Sequence, residues 1–149
     1  MPRHVWTVLC SNTSIDNQTN NISLFEVVEG LSLPGEAPAD RDIALPVKLV
    51  LVTLWARSNP EVPEGGNGRF RFVAPDGRML QTGEHELQLQ GEYIRSRNLS
   101  RLEVIPLHGP GFYEYTIEYR TPNEADWVEV KRVPLEVRFE QGVRQDVEA

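Results

Sequence analysis

Four groups of residues in this chain have side chains that could do chemistry: three histidines, one cysteine, a short run of arginines and the acids of one loop. His4, His85 and His108 stand in separate segments, and no pair has the spacing of a helical zinc site or of a zinc finger. His85 lies between Glu84 and Glu86, but neighbours on an extended chain point to opposite faces, so these three are not predicted to share a metal ion. Cys10 has no second cysteine to bridge to, and within Val8-Leu9-Cys10 it reads as a small buried hydrophobe and not as a nucleophile. Asp16 begins a stretch that starts like a calcium loop, yet Asn21 stands where the sharp turn needs Gly and Val27 where the bidentate Glu belongs. Gly65-Gly66-Asn67-Gly68 has the composition of a phosphate cradle, but no Lys-Ser/Thr pair follows and the next element reads as a strand. No Gly-x-Ser-x-Gly elbow occurs. The reading therefore assigns no catalytic residue, no metal ligand and no cofactor.

Binding chemistry is better represented. Arg95, Arg97 and Arg101 fall within Arg95-Ser96-Arg97-Asn98-Leu99-Ser100-Arg101, which reads as a basic loop between two strands able to meet a carboxylate or a phosphate. The blander reading is a solvated loop that pairs with nearby glutamates. Trp6, Trp55 and Trp127 could stack on a sugar or a base, but each sits in an apolar strand, where core packing is the commoner use. Trp127 follows the polar loop Thr121-Pro122-Asn123-Glu124-Ala125-Asp126 and is the fourth binding candidate, expected to be partly exposed. Glu36, Asp40 and Asp42 form an acidic cluster that reads as a solvated connection. A formal charge of −7 and a pI near 5.0 argue against a non-specific nucleic-acid binder, which needs a basic surface.

The elements that must position these residues read as strands throughout. Leu107-His108-Gly109-Pro110-Gly111 is a turn that opens the alternating run Phe112 to Arg120, with Tyr113, Tyr115, Ile117 and Tyr119 on a buried side and Phe112, Glu114, Thr116 and Glu118 on a mostly wet one. A tyrosine just after such a turn is where a sandwich places one that bonds back to the backbone. Arg3 to Cys10 and Ile22 to Val28 read as strands joined by a polar loop, Ser11 to Asn21. Leu45 to Arg57 is the strongest and should be central. Gly30 to Asp42, with Pro34, Gly35, Pro38 and two Asp, is expected to be a long loop crossing between sheets. Asp76-Gly77 predicts a hairpin between Arg69-Phe70-Arg71-Phe72-Val73 and Met79-Leu80-Gln81. Glu86 to Tyr93, Leu99 to Leu107 and Trp127 to Phe139 supply the remaining strands, with Pro134 marking a break, bulge or edge. With 149 residues and 40% hydrophobic content this makes one domain, residues 1–149, with a frayed tail over 140–149. The fold class is all-β, an immunoglobulin-like antiparallel sandwich of about eight or nine strands, with a closed barrel as the alternative.

The order of these elements carries a resemblance. Val8-Leu9-Cys10, a polar turn, Ile22-Ser23-Leu24-Phe25, a proline-containing loop, the Asp76-Gly77 hairpin, Leu102-Glu103-Val104, Gly111-Phe112-Tyr113 and a terminal Trp127 strand together resemble a family of small uncharacterised bacterial proteins with an immunoglobulin-like sandwich. The resemblance spans nearly the whole chain and supplies no catalytic residue; Asn17 to Asn21 departs from the Gly-Lys type of turn it implies. No secretory signal and no membrane-spanning run is read, so the sequons at Asn12, Asn17, Asn21 and Asn98 read as turn residues and a cytoplasmic location is expected. The functional expectation is a non-enzymatic module with a protein partner, neither nucleic acid nor membrane. An edge strand would also permit pairing of two copies. The alternative is small-ligand or carbohydrate binding, or hydrolysis, at end loops around Asp40, Asp42, Arg95, Arg97 and Arg101.

Overall fold

The alternating pattern is realised as nine strands and no helix among residues 1–37 and 41–140, the part of the chain that the computed structural model describes. They are β1 (Arg3–Ile15), β2 (Ile22–Val27), β3 (Gly30–Pro34), β4 (Ile43–Ala56), β5 (Asn67–Val73), β6 (Met79–Glu86), β7 (Arg95–Leu107), β8 (Gly111–Arg120) and β9 (Val128–Glu140). One sheet has the order β2-β1-β4-β7 and the other β3-β9-β8-β5-β6, and every pairing is antiparallel except β3 with β9. This is the all-β sandwich expected from the sequence. Apolar residues of both inner faces fill the space between the sheets: Leu9, Leu51, Trp55 and Leu102 from one, Phe70, Phe72, Tyr115, Ile117 and Leu135 from the other.

Strand β8 is built as its alternation requires. Tyr113, Tyr115, Ile117 and Tyr119 are buried, while Phe112 is 66% exposed. The opposite side is drier than its polar residues suggest, because Thr116 and Glu118 are buried as well. The Tyr113 hydroxyl accepts from the His108 N–H and donates to the Gly109 carbonyl, each at 2.7 Å, tying the β7–β8 turn to the strand that follows it. The Asp76-Gly77 hairpin joins β5 and β6, with Gly77 at φ 91°, where a side chain would be strained. Strand β4 is central, paired with β1 on one side and β7 on the other.

Four expectations are corrected. The loop drawn from Ser11 begins only after Ile15, since β1 continues and pairs with β2 from Asn12↔Phe25 to Ile15↔Ile22. The crossing loop Gly30 to Asp42 starts with β3, which pairs in parallel with β9 from Gly30↔Glu136 to Pro34↔Glu140. The strand drawn over Glu86 to Tyr93 ends at Glu86; Leu87 and Leu89 are buried without a ladder of their own. Their segment is held instead by the buried Arg57, whose guanidinium donates to the carbonyls of Leu89, Pro60 and Gly91. Finally, Arg95 to Arg101 is no loop but the first half of β7. Pro134 lies within β9, where β3 has not yet begun to pair, so its missing N–H leaves no ladder bond unmade. Asp40 and the tail beyond Glu140 lie outside the described residues.

Candidate functional site: the outer face of the four-stranded sheet

The first half of β7 alternates inward Ser96 and Leu102 against Arg97, Leu99 and Arg101 on the outer face of its sheet. Arg97 lies opposite Leu54 and Arg101 opposite Val50 on β4; these lie in turn opposite Trp6 and Cys10 on β1. Cross-strand partners share a face, so the arginines border an apolar field made of Trp6, Val8, Cys10, Val50, Val52 and Leu99. Such a field would be wet in a plain sandwich. Here Cys10 and Val52 are fully buried because Ile22 and Leu24 of β2 pack on them.

The roof forms because the β1–β2 hairpin turns back over the sheet. Asp16 caps the turn, its carboxylate accepting from the N–H groups of Gln18 at 2.8 Å and Thr19 at 2.9 Å, and these bonds hold its pKa below the usual carboxylate value. Asn20 takes φ 62°, a conformation that Asn tolerates better than most residues, and so supplies the turn without a glycine. The Asn20 carbonyl then accepts from Arg97 Nη2 at 3.0 Å. Since Arg97 is level with Leu54 and Trp6, the hairpin tip comes back to the beginning of β1.

Two clefts remain between this roof and the outer row of β7. One, about 370 Å³, is bordered by Trp6, Asn20, Ile22, Leu54, Arg95 and Arg97. The other, about 440 Å³, is bordered by Asn12, Lys48, Val50, Arg101, Leu102 and Glu103. Both fall within the size of small-molecule and side-chain sites. Among the described residues, Arg95, Arg97, Arg101 and Lys48 form no ion pair, although the chain carries a net charge of −7. Arg97 Nε is buried and lacks a hydrogen-bond partner there. The first cleft holds two cations and no carboxylate; the second holds two cations and Glu103. This is a cationic, partly apolar surface suited to carboxylates.

The structure separates the other candidates. Trp127 is half-buried on the outer side of the other sheet, and the guanidinium groups of Arg69 and Arg120 already lie over its ring, 4.2 and 4.5 Å from the centroid. Arg69 and Arg71 in turn face Glu118. Asp42 meets His108 Nδ1 at 2.7 Å and Arg78 at 2.9 Å, and both bonds hold its carboxyl below the usual range. That cluster sits beyond Leu107, whereas Arg95 is at the other end of β7, roughly 40 Å away along a strand. Asp42 therefore does not join Arg95, Arg97 or Arg101 in one site. His4 and His85 both pack on the buried Trp55, and the indole N–H donates to His85 Nε2 at 3.1 Å. Burial lowers the His85 pKa to about 4, so it is a neutral acceptor at pH 7. Among the described residues no group of three or more His, Cys, Asp or Glu side chains is placed to hold a metal ion, and no helix is long and apolar enough to cross a membrane.

Sequence reasoning missed Lys48, Trp6 and Asn20 as members of this face. The period-two spacing of Lys48, Val50, Val52 and Leu54 was the available signal for Lys48; no local signal places the tip of a hairpin beside Arg97. No protein-family model matches the chain, and no curated protein matches it.

Proposed function

We propose that this chain is a non-enzymatic protein-interaction module of a bacterial cytoplasmic protein, and that it presents the outer face of the β2-β1-β4-β7 sheet to an acidic partner. The observation that carries this reading is the set of four cations, Arg95, Arg97, Arg101 and Lys48, on one apolar-floored face without an ion pair among the described residues. Surface cations in an acidic protein ordinarily pair with its own carboxylates; a row left unpaired is complementary to carboxylates brought by something else.

The immunoglobulin-like part of the proposal has support in the strand order. The pair β4–β7 packed against β6-β5-β8-β9 follows the B–E and C′–C–F–G arrangement of that sandwich, with Tyr113 in the place of its corner tyrosine at the start of strand F. The inter-sheet disulfide of antibody domains has no counterpart, since Cys10 is the one cysteine. A lone buried thiol suits a reducing compartment. A ligand or carbohydrate site, or hydrolysis, at the end loops has less support, because Asp42 is already engaged by Arg78 and His108.

The test is capture from a lysate of the source organism on the immobilised full chain, beside a variant with Arg95→Ala, Arg97→Ala and Arg101→Ala. The expected result is an acidic protein retained in stoichiometric amount by the wild type, released at 1 M salt, where the screening length falls to about 3 Å, and absent from the variant. Retention by the variant as strong as by the wild type would remove the face from the proposal, and no partner at any salt concentration would remove the module reading itself.

A further inference from the structure

Resting on the reading of this face as the binding surface, we propose that its occupant is an extended acidic peptide segment carrying two carboxylates four residues apart. One carboxylate enters the cleft of Arg95 and Arg97, the other the cleft of Arg101 and Lys48. The argument is metric. Arg97 and Arg101 share the outer side of β7 and are separated by four residues, about 13 Å at the rise of a strand. An extended peptide running along β7 repeats the same rise, and side chains at i and i+4 fall on one side of it. A spacing of three residues places the second carboxylate on the far side.

The groove favours side-chain recognition over strand addition. On the unpaired edge of β7 the Val104 carbonyl accepts from Gln81 Nε2 at 3.1 Å. The cations and both clefts lie on the outer row of side chains and not on this edge. Between the two clefts Leu99 supplies an apolar floor, and Trp6, Leu54 and Ile22 line the wall of the first, so an apolar residue between the acids is accommodated. Charge complementarity selects the acid: the first cleft carries two guanidinium groups and no carboxylate. Arg97 already gives one donor to Asn20, which fixes its plane, while Arg95 has no hydrogen-bond partner among the described residues.

Fluorescence anisotropy with labelled synthetic peptides tests this on the full chain. The probes are a nine-residue peptide of Ser and Val with Glu at positions 3 and 7, its isomer with Glu at positions 3 and 6, and a version with Gln at both. The expected result is that the four-spaced peptide binds at least tenfold tighter than the three-spaced isomer. Arg97→Ala and Arg101→Ala should each abolish that preference, with circular dichroism unchanged in both and the thermal midpoint unchanged in Arg101→Ala. Equal binding of both acidic isomers would overturn the groove inference and leave the proposed function standing as general electrostatic attraction. Absence of binding by every acidic peptide, together with a lysate partner lost from the triple variant, would overturn the inference alone. Absence of both would overturn the inference and the reading on which it rests.

Discussion

Three tyrosines on one face of β8 differ in a single respect, the fate of the hydroxyl, and replacing each by Phe should separate them by sign. Tyr113 makes two backbone hydrogen bonds, to His108 and Gly109, and Tyr119 donates one, to the Gly65 carbonyl at 2.8 Å. The Tyr115 hydroxyl is buried, packed with Phe72 and Phe70, and has no partner among the described residues; its pKa is driven far up by burial alone. A net hydrogen bond is worth about 0.5–1.5 kcal/mol and an unmet buried hydroxyl costs about 1–3 kcal/mol. Tyr113→Phe should thus lose about 2 kcal/mol, since it also orphans the two turn groups. Tyr119→Phe should lose about 1 kcal/mol, and Tyr115→Phe should gain about 1 kcal/mol. For a domain of this size each kcal/mol moves the thermal midpoint by about 2–4 °C. Urea unfolding followed by the fluorescence of the buried Trp55, with calorimetry alongside, reads all three. A Tyr115→Phe protein destabilised as much as Tyr113→Phe would refute the reasoning, because it would mean that the core hydroxyl has a partner.

Two further outcomes follow from single residues. The His85 pKa is lowered by burial to about 4 from an unfolded value of 6.5, so between those values the unfolded chain binds the extra proton. Stability is then complete above about pH 6.5 and falls by about 3 kcal/mol as pH drops toward 4. Comparing urea midpoints at pH 7 and 4.5 should show a smaller loss for His85→Gln, which keeps an acceptor for Trp55; equal losses would disprove the assignment. Glu26 holds φ 56° within β2, a conformation costing an ordinary side chain about 1–2 kcal/mol. Thermal melting should therefore place Glu26→Gly at or above the wild type and Glu26→Val clearly below it.

What the sequence disclosed and what it hid divide along physical lines. The core face of β8, the corner role of Tyr113, the turn at Gly77 and the central place of β4 all depend on local alternation and turn chemistry, and all are present. The strand β3 was illegible because it has only Leu31 and Leu33 to show a period, and its existence depends on a parallel partner at the far end of the chain. The segment at Leu87 and Leu89 misled in the other direction: its alternation is real, but the Arg57 guanidinium donates to the Leu89 and Gly91 carbonyls where the N–H groups of a neighbouring strand would have done so. The roof over Cys10 and Val52 has no local signature at all, since it depends on a hairpin returning across the sheet.

The same contrast decides how the arginines should be read. Composition made Arg95 to Arg101 look like a loop, for three cations with Ser and Asn rarely mark a strand. The spacing already said otherwise: Arg95, Arg97, Leu99 and Arg101 occupy every second position, and a row of period two is a strand face. On the proposed reading the difference is functional as well as structural. Cations on a flexible loop adjust to any anion and so discriminate weakly, whereas cations held by the β4–β7 ladder keep one separation and one side. Lost freedom is then settled at folding and not at binding, which raises affinity for a ligand of matching spacing and withholds it from the rest. The Asn20 bond to Arg97 and the capped turn at Asp16 extend that rigidity to the roof. If a protein of net charge −7 binds an acidic partner as proposed, it must do so at short range, inside the screening length of about 8 Å, where the complementarity of a fixed groove can outweigh the repulsion of the whole.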